Sequence, residues 1–404
     1  MRIIIAPDSF KGNMSSPEVC AAIEKGILRA DKTADLIKIP LADGGEGTAR
    51  AVTQAAGGKF IKASVTGPLG KTHVAEFGLI QGGRIAVLDL ASASGLELLR
   101  RDELNPLKAT SRGTGELIKA ALDTGACELI IGIGGSATND GGVGLLSALG
   151  FKILDENNKP VGDGGEALMK VASIDVSAAD PRLKETAITV ACDVTNPLLG
   201  EKGASAIFGP QKGATPEMVK ILDAGLAKLA DAWISAGLTK DIPHSPVPVL
   251  CSSFPVPQSP SFVEQPGDGA AGGIGACLRI CLGAKMESGA MLVMRHAGFF
   301  DQLKGADLVI TGEGQTDGQT AGGKLCSIVA KESRNAGVPV ALLSGALGGD
   351  AGNLLSTFDY AVSIACGQIG LDAMLRDSRR DLSLAAENLI LAIQLGTKQK
   401  NKLR

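Results

Sequence analysis

The sequence predicts an α/β protein with one doubly wound, parallel-sheet domain built from both chain ends and a second, mixed α/β domain inserted into it. Strand and helix patterns alternate over residues 1–60, and the same alternation returns near the C terminus. Between these regions, β-like stretches separated by glycine follow one another with little helix, which is typical of antiparallel strands. We therefore predict a discontinuous domain of residues 1–64 and 285–404 and an inserted domain of residues 65–284.

The first elements show clear start and stop signals. The apolar residues 3–6 predict a buried strand. Ser15-Ser16-Pro17-Glu18 supplies a helix N-cap, a proline in the first turn and an early acid, so we expect a helix from there to Arg29. Residues 36–41 predict the second strand, and a second helix should end at Ala56, before two glycines.

The later elements follow from the same patterns. Seven prolines between residues 243 and 268 exclude a regular helix or a central strand there, so this stretch is predicted to be a loop. The predicted strands are residues 128–133, 151–154, 188–192, 307–311, 339–344 and 361–364, and the predicted helices are residues 114–123, 140–149, 216–236, 269–282, 324–336 and 384–395.

Composition excludes several classes of protein. The chain has 404 residues, of which 45% are hydrophobic and 21% charged, with a net charge of −3. A disordered chain would be less hydrophobic, and a general nucleic-acid binder would carry a basic excess. No stretch reaches the roughly 18 apolar residues that a membrane span needs. The eight cysteines are scattered and only three histidines occur, which argues against a zinc or disulfide scaffold and favours the cytoplasm.

Five clusters of glycine and acidic residues lie where predicted strands end or helices begin. Ligands of open α/β sheets bind beyond the carboxyl ends of the strands, and helix N termini there favour phosphate. Carboxylates can hold Mg²⁺, which commonly shares the phosphates of a substrate. Phosphoryl transfer requires little more than this positioning, charge neutralisation and a base near the hydroxyl. The clusters are residues 8–12, 43–48, 132–142, 193–196 and 312–324.

Two stretches resemble known nucleotide-binding motifs without matching them fully. Residues 318–325 nearly form a P-loop, but Leu325 replaces the serine or threonine that would hold Mg²⁺. Residues 132–137 fit the relaxed dinucleotide fingerprint, with Asp155 about 20 residues on, so a nicotinamide-dependent oxidoreductase remains an alternative. Lys212 lies in a loop before a helix, where a surface lysine is the more common structure.

Taken in order, the motifs resemble the type 1 glycerate kinase family over nearly the whole chain, from residue 3 to about residue 395. Several of the matching stretches are long and specific. They include IAPDSFKG (5–12), ADGGEGT (42–48), TSRGTGELI (110–118), IIGIGGSATNDGG (130–142), VACDVTNPLLG (190–200), GASAIFGPQKGA (203–214), GDGAAGGIGA (267–276) and LVITGEGQTDGQT (308–320).

The resemblance implies a fold and a reaction. The discontinuous domain would be flavodoxin-like or Rossmann-like, with a mixed α/β domain inserted. The enzyme would use ATP and Mg²⁺ to phosphorylate D-glycerate in organic-acid breakdown in the cytoplasm, mostly giving 2-phosphoglycerate, with no nucleic-acid or membrane partner and with a homo-oligomer allowed. The alternatives are a 3-phosphoglycerate-forming kinase, the oxidoreductase above and a non-catalytic glycerate sensor.

The residues that follow predicted strands are the candidates for the chemistry. Asp193 is the preferred base for the glycerate hydroxyl, Asp8 a second catalytic carboxylate, and Lys11 the charge that neutralises the phosphoryl group. Ser9, Arg112 and Asn196 are candidates for binding substrate. The remaining candidates are Gly134, Gly135, Ser136, Asn139, Gly312 and Lys324 for nucleotide or phosphate, and Asp43, Glu313 and Asp317 for the metal ion.

The sequence departs from the family pattern in three places. Gln315 stands where members commonly have arginine, and Cys326 replaces a common proline. Asp268 follows a longer Pro/Ser-rich stretch and replaces alanine. If the missing arginine contacts phosphate, weaker activity is expected here.

Overall fold

A computed structural model describes residues 1–42, 47–238, 263–316, 325–348, 354–367 and 370–402. The strands of these residues are β1 (Arg2–Ile5), β2 (Asp35–Lys38), β3 (Lys59–Thr66), β4 (Thr72–Ile80), β5 (Ile85–Asp89), β6 (Glu128–Gly132), β7 (Lys152–Leu154), β8 (Ser173–Asp175), β9 (Ala187–Ala191), β10 (Lys285–Glu287), β11 (Leu308–Thr316), β12 (Val340–Leu347) and β13 (Tyr360–Ser363). The helices are α1 (Ser16–Ala30), α2 (Thr48–Ala55), α3 (Ala91–Ser94), α4 (Arg112–Asp123), α5 (Val143–Ala148), α6 (Ala204–Phe208), α7 (Pro216–Ser235), α8 (Ile274–Leu282), α9 (Gly289–His296), α10 (Phe299–Leu303), α11 (Leu325–Asn335), α12 (Leu354–Thr357) and α13 (Leu371–Lys402). Within the described ranges, no helix has both the length and the apolar character that crossing a membrane requires.

The chain divides into two compact units. The first unit is Met1–Asp43 with Ala290–Arg404, and the second is Gly44–Gly289. The boundary that we predicted after residue 64 falls inside β3, which pairs with β4 along its whole length. The second unit includes the whole hairpin and also α2, which packs against β4 and β5 and whose Ala49 N–H donates to Asp89 Oδ1 at 2.9 Å. The second boundary lies five residues later than our predicted start at residue 285.

The first unit contains a five-stranded parallel sheet in the order β13-β12-β11-β1-β2. When these strands are numbered 1 to 5 in chain order and the sheet is read from β2 to β13, the order is 2-1-3-4-5, as in the flavodoxin-like doubly wound sheet. Ile3, Ile4 and Ile5 are completely buried, because helices cover both faces of a parallel sheet. The predicted α/β fold class is confirmed.

Helices α1 and α13 pack closely together beside this sheet. The Glu18 carboxylate accepts a hydrogen bond from the Ser15 N–H at 2.9 Å, as the helix-start signal predicted. A Cβ at Gly26 would collide with the carbonyl oxygen of Ser383, so the two helix backbones approach as closely as glycine permits. Their apolar faces meet over Ile3 and Ile5.

The second unit contains a six-stranded mixed sheet in the order β10-β9-β6-β5-β4-β3. Strands β3, β4 and β5 are antiparallel neighbours, whereas β5, β6, β9 and β10 run parallel. The antiparallel region predicted from the glycine-punctuated stretch is therefore present, and β5 joins it to the parallel part. The short hairpin β7–β8 lies apart from this sheet.

Two predicted helix starts were wrong, and several short elements were not predicted. Helix α8 begins at Ile274 rather than at residue 269, because Ala271, Gly272 and Gly273 all have left-handed φ values of +53°, +68° and +95°. Helix α13 begins 13 residues before the predicted start, and the elements that were not predicted are β8, β10, α3, α6, α9, α10 and α12. Most of the predicted loop 243–268 lies outside the described residues.

Candidate active site

The first unit has a cavity of about 410 Å³ at the carboxyl ends of β1, β11, β12 and β13. Its polar lining includes Asp8, Ser9, Lys11 and Glu313, and the N-terminal part of α13 supplies an apolar wall. Strands β1 and β11 mark the point where the strand order of the sheet reverses. Ligands of doubly wound sheets bind at this point, so the cavity is where a substrate site is expected.

The loop after β1 brings Asp8, Ser9 and Lys11 to the cavity. The Asp8 N–H donates to the carbonyl oxygen of Gly312 at 2.8 Å, which ties this loop to β11. Phe10 and Met14 exchange two backbone hydrogen bonds, and Gly12 turns the chain between them with a φ of +72°. The turn therefore holds three predicted site residues against the end of the sheet.

Strand β11 brings a second carboxylate to the same cavity. The Thr316 hydroxyl donates to Glu313 Oε1 at 2.9 Å, and Glu313 is mostly buried. Gly312 is not among the lining residues. A Cβ there would collide with the carbonyl oxygen of Leu343, so the glycine permits close approach of β12. Gln315, one of the departures from the family pattern, does line the cavity.

In the second unit, residues 134–139 form a loop directly after β6, which we call the 134–139 loop. Gly135 is exposed and has a φ of +73°, and its carbonyl oxygen accepts from the Leu96 N–H at 2.8 Å. The Thr138 N–H donates to Ser136 Oγ at 3.0 Å, and Asn139 Nδ2 donates to Ser205 Oγ at the same distance. The loop is thus half-buried at Gly134, exposed at Gly135 and buried from Ser136 onwards.

A buried carboxylate, Asp140, supports the end of this loop. Its oxygens accept from the Ser111 N–H and hydroxyl, both at 2.8 Å, and from the N–H groups of Gly142 and Gly144. Burial raises the pKa of Asp140, and these four hydrogen bonds oppose that rise. Asp140 therefore organises backbone inside the protein rather than facing a ligand.

Arg112 lies at the start of α4 and is already paired. Its Nε and Nη2 donate to the two carboxylate oxygens of Asp163, each at 2.9 Å. These hydrogen bonds raise the pKa of Arg112. A substrate carboxylate would have to compete with Asp163 for the same two N–H groups.

Asp193 and Asn196 follow β9 in the second unit. Asp193 is exposed, and its Oδ1 accepts from the Gly289 N–H at 3.0 Å. Asn196 Nδ2 donates to the carbonyl oxygen of Lys202 at 2.9 Å, and its own carbonyl oxygen accepts from the Gly269 N–H. The turn around Gly269 is therefore fixed against the loop that carries Asp193.

The predicted site residues thus form two groups, one in each unit. The cavity of the first unit brings together Asp8, Ser9, Lys11 and Glu313, with Gly312 beside it. The second unit holds Arg112, Gly134, Gly135, Ser136, Asn139, Asp193 and Asn196. The predicted residues Asp43, Asp317 and Lys324 lie outside the described residues, as does the P-loop-like stretch apart from Leu325.

Comparison with known proteins decides the family. Residues 3–394 match the model of the glycerate kinase family. The chain belongs to the glycerate kinase family. Glycerate kinase of Bacillus subtilis (strain 168) is 44% identical, over 98% of each chain. Glycerate 2-kinase of Escherichia coli (strain K12) is 42% identical, over 98% of this chain and 99% of the other.

A solved structure shows the same architecture. It is the crystal structure of a Salmonella typhimurium LT2 protein, described as a candidate glycerate kinase 2. The two chains are 41% identical and superpose with a TM-score of 0.82, over 98% of this chain and 99% of the other. Membership of the glycerate kinase family makes the protein a phosphotransferase with an alcohol group as acceptor, and the resemblance stated from the sequence is confirmed.

The dinucleotide-like stretch 132–137 would need Asp155 to be available to a bound cofactor. Asp155, the candidate ribose ligand, accepts from the N–H groups of Asn157 and Lys159 at 2.9 and 2.8 Å. Its carboxylate therefore closes a turn between β7 and β8. This local use of the acid does not favour the oxidoreductase alternative.

Two features of the site were missed in the sequence. Leu371, Met374 and Ser378 of α13 line the cavity, and their spacing of three and four residues marks one helix face. That spacing was a usable signal. Lys212 is buried rather than on the surface, and its Nζ donates to the carbonyl oxygen of Thr138, 74 positions away in sequence. No local pattern reveals such a distant partner.

Proposed function

We propose that this protein transfers the γ-phosphate of ATP to the 2-hydroxyl of D-glycerate, giving 2-phosphoglycerate and ADP. The main support is the cavity at the point where the strand order of the parallel sheet reverses, which is lined by the carboxylates of Asp8 and Glu313 and by Lys11. Phosphoryl transfer depends mainly on positioning and on neutralising the charge of the moving group, which such residues supply. The name glycerate 2-kinase of the Escherichia coli relative supports the choice of hydroxyl.

The donor set of the cavity suits Mg²⁺. No cluster of three or more histidine, cysteine, aspartate or glutamate side chains occurs among the described residues. Mg²⁺ is usually held by one or two carboxylates together with substrate phosphates and water, and Asp8 and Glu313 meet that smaller requirement. When bound, the ion would neutralise phosphate charge. Asp8 and Glu313 would hold it, and Lys11 would add a positive charge beside the transferring group.

In the second unit, we assign phosphate binding to the 134–139 loop and proton removal to Asp193. The loop presents backbone that is half-buried at Gly134 and exposed at Gly135, where an anion can approach N–H groups closely. The Gly289 N–H orients the Asp193 carboxylate, which stays exposed and can accept a hydroxyl proton. In this unit Asn196 would contact glycerate, and Arg112 would do so by exchanging Asp163 for the substrate carboxylate, while Ser9 stays the candidate for substrate binding in the first unit.

The decisive experiment measures phosphoenolpyruvate formed from D-glycerate, ATP and Mg²⁺ with enolase as the coupling enzyme. Signal without phosphoglycerate mutase supports the 2-kinase, whereas signal only with the mutase identifies a 3-kinase. ATP-independent binding of D-glycerate without any ADP formation would contradict the kinase and favour the sensor. NADH fluorescence measured with the same preparation tests the oxidoreductase. Cytoplasmic location and oligomeric state stay predictions.

A further inference from the structure

Lys212 is almost completely buried in the second unit, with 2% of its surface exposed. It ends the short turn Pro210–Lys212 between α6 and α7, and Gly213 follows with a φ of +90°. A Cβ at Gly213 would lie 2.6 Å from the carbonyl oxygen of Leu104, so the turn is held tightly against the protein. The backbone around Lys212 therefore has little freedom to carry the side chain out to water.

Burial of this lysine is poorly compensated. Within the described part of the chain, Lys212 Nζ has one hydrogen-bond partner, the Thr138 carbonyl oxygen at 2.6 Å, although an ammonium has three donors. Burial lowers the pKa of Lys212 to about 7, and the charge of Asp140 opposes this effect. A methionine of similar length would fill the space without burying a charge. Stability alone therefore does not account for a lysine at this position.

The partner of Lys212 belongs to the 134–139 loop. Gly134 and Gly135 present two consecutive backbone N–H groups that donate no hydrogen bond to any described residue. A run of free N–H groups with one residue in the left-handed region is a backbone arrangement that binds anions. Lys212 thus contacts this loop at Thr138, three residues beyond the second of these donors.

The segment that carries Lys212 holds the loop at a second, adjacent point. Ser205 of α6 accepts from Asn139 Nδ2 at 3.0 Å, and Asn139 Oδ1 is buried without a hydrogen-bond partner. On another side, the Gly141 N–H donates to the carbonyl oxygen of Gly272 at 3.0 Å. The buried end of the loop is therefore braced from two elements that are distant in sequence.

We propose that Lys212 is a positioning residue which, through the Thr138 carbonyl, holds the 134–139 loop in the form that binds an anionic group. The proposal rests on the proposed function, which assigns phosphate binding to this loop. The anion is either a phosphate of the nucleotide or the carboxylate of glycerate, and the kinetic constants distinguish the two.

The test compares K212M with K220M, a matched control that removes a positive charge from the exposed face of α7. We expect K212M to lower kcat/KM by about 10- to 100-fold through loss of alignment, with a melting temperature unchanged or higher. K220M should behave as wild type. A raised KM for ATP alone assigns the loop to phosphate, and a raised KM for D-glycerate alone assigns it to the carboxylate.

Two results would overturn the proposal. One is a K212M enzyme with kcat/KM within twofold of wild type. The other is a K212M enzyme whose melting temperature falls together with its activity, because Lys212 would then be needed only for folding.

A binding measurement separates this proposal from the proposed function. Inorganic phosphate should raise the melting temperature of wild type and K220M more than that of K212M. If wild type does not phosphorylate D-glycerate, the proposed function fails, yet this difference in phosphate response still supports the role of Lys212. Equal responses in all three proteins contradict it, as does the absence of any response of wild type to both inorganic phosphate and D-glycerate.

Discussion

The two groups of candidate residues are built in different ways. In the first unit, Asp8, Lys11 and Glu313 face a cavity and are held by short local turns and one strand. In the second unit, the 134–139 loop presents mainly backbone, and its polar side chains point inwards. Thr138, Asn139 and Asp140 are completely buried. They form hydrogen bonds with Lys212, Ser205 and Ser111, respectively.

This difference determines what a substitution should reveal. A side chain that faces a cavity can be replaced with little change in packing, so its loss should affect turnover and spare stability. A buried polar side chain has exchanged water for protein partners, and its loss leaves those partners unsatisfied. The cavity is therefore the region where activity and stability separate most easily.

The largest effect is expected at Asp193, an exposed carboxylate that follows β9 in the second unit. D193N keeps the shape of the side chain but removes the proton acceptor, so kcat should fall by about 10²- to 10⁴-fold. Steady-state kinetics with ATP and D-glycerate measure this. D231N, an exposed change on α7, is the control. A folded D193N enzyme with unchanged kcat would remove Asp193 as the base.

Lys11 is expected to show the separation of activity from stability in the first unit. K11M should lower kcat by about 10²- to 10³-fold, because a preorganised positive charge near the phosphoryl group is lost. The melting temperature should stay close to that of wild type. K25M removes an exposed lysine from α1 of the same unit and should change neither quantity. Loss of stability in K11M would show that its role is structural.

Asp140 should show the opposite behaviour. In D140N, an amide would direct N–H groups at backbone donors, and we expect a loss of about 1–3 kcal/mol in the free energy of unfolding. Asp155 is the matched control, since it also accepts two backbone N–H groups but is partly exposed. D155N should cost less than D140N in urea denaturation. Equal losses would mean that burial does not determine how much stability such a carboxylate contributes.

The sequence predicts the candidate residues of the first unit better than those of the second, because the positions of the former depend on short local patterns. The buried run Ile3–Ile5 and the Asp8–Lys11 turn after it follow from patterns a few residues long. By contrast, Arg112 pairs with Asp163, 51 positions away, and Lys212 reaches Thr138 across 74 positions. Such partners depend on tertiary packing, so a lysine in a Gly/Pro turn was expected at the surface and is buried instead.

The smallest expected effect, a pH dependence of stability, tests that burial directly. Lys212 has a pKa of about 7 in the folded protein, below the value of 10.5 for an unperturbed lysine. Between these values the unfolded chain binds more protons, so the destabilising effect of Lys212 is complete below pH 7 and fades as the pH rises towards 10.5.

The difference in unfolding free energy between K212M and wild type isolates this contribution. We expect K212M to be the more stable protein at pH 7 and its advantage to shrink steadily up to pH 10, whereas K220M shows no such trend. Urea denaturation at each pH measures both differences. A K212M advantage that is constant with pH would show that Lys212 keeps its charge in the folded protein, because only a lysine neutralised on folding changes the proton count over this range.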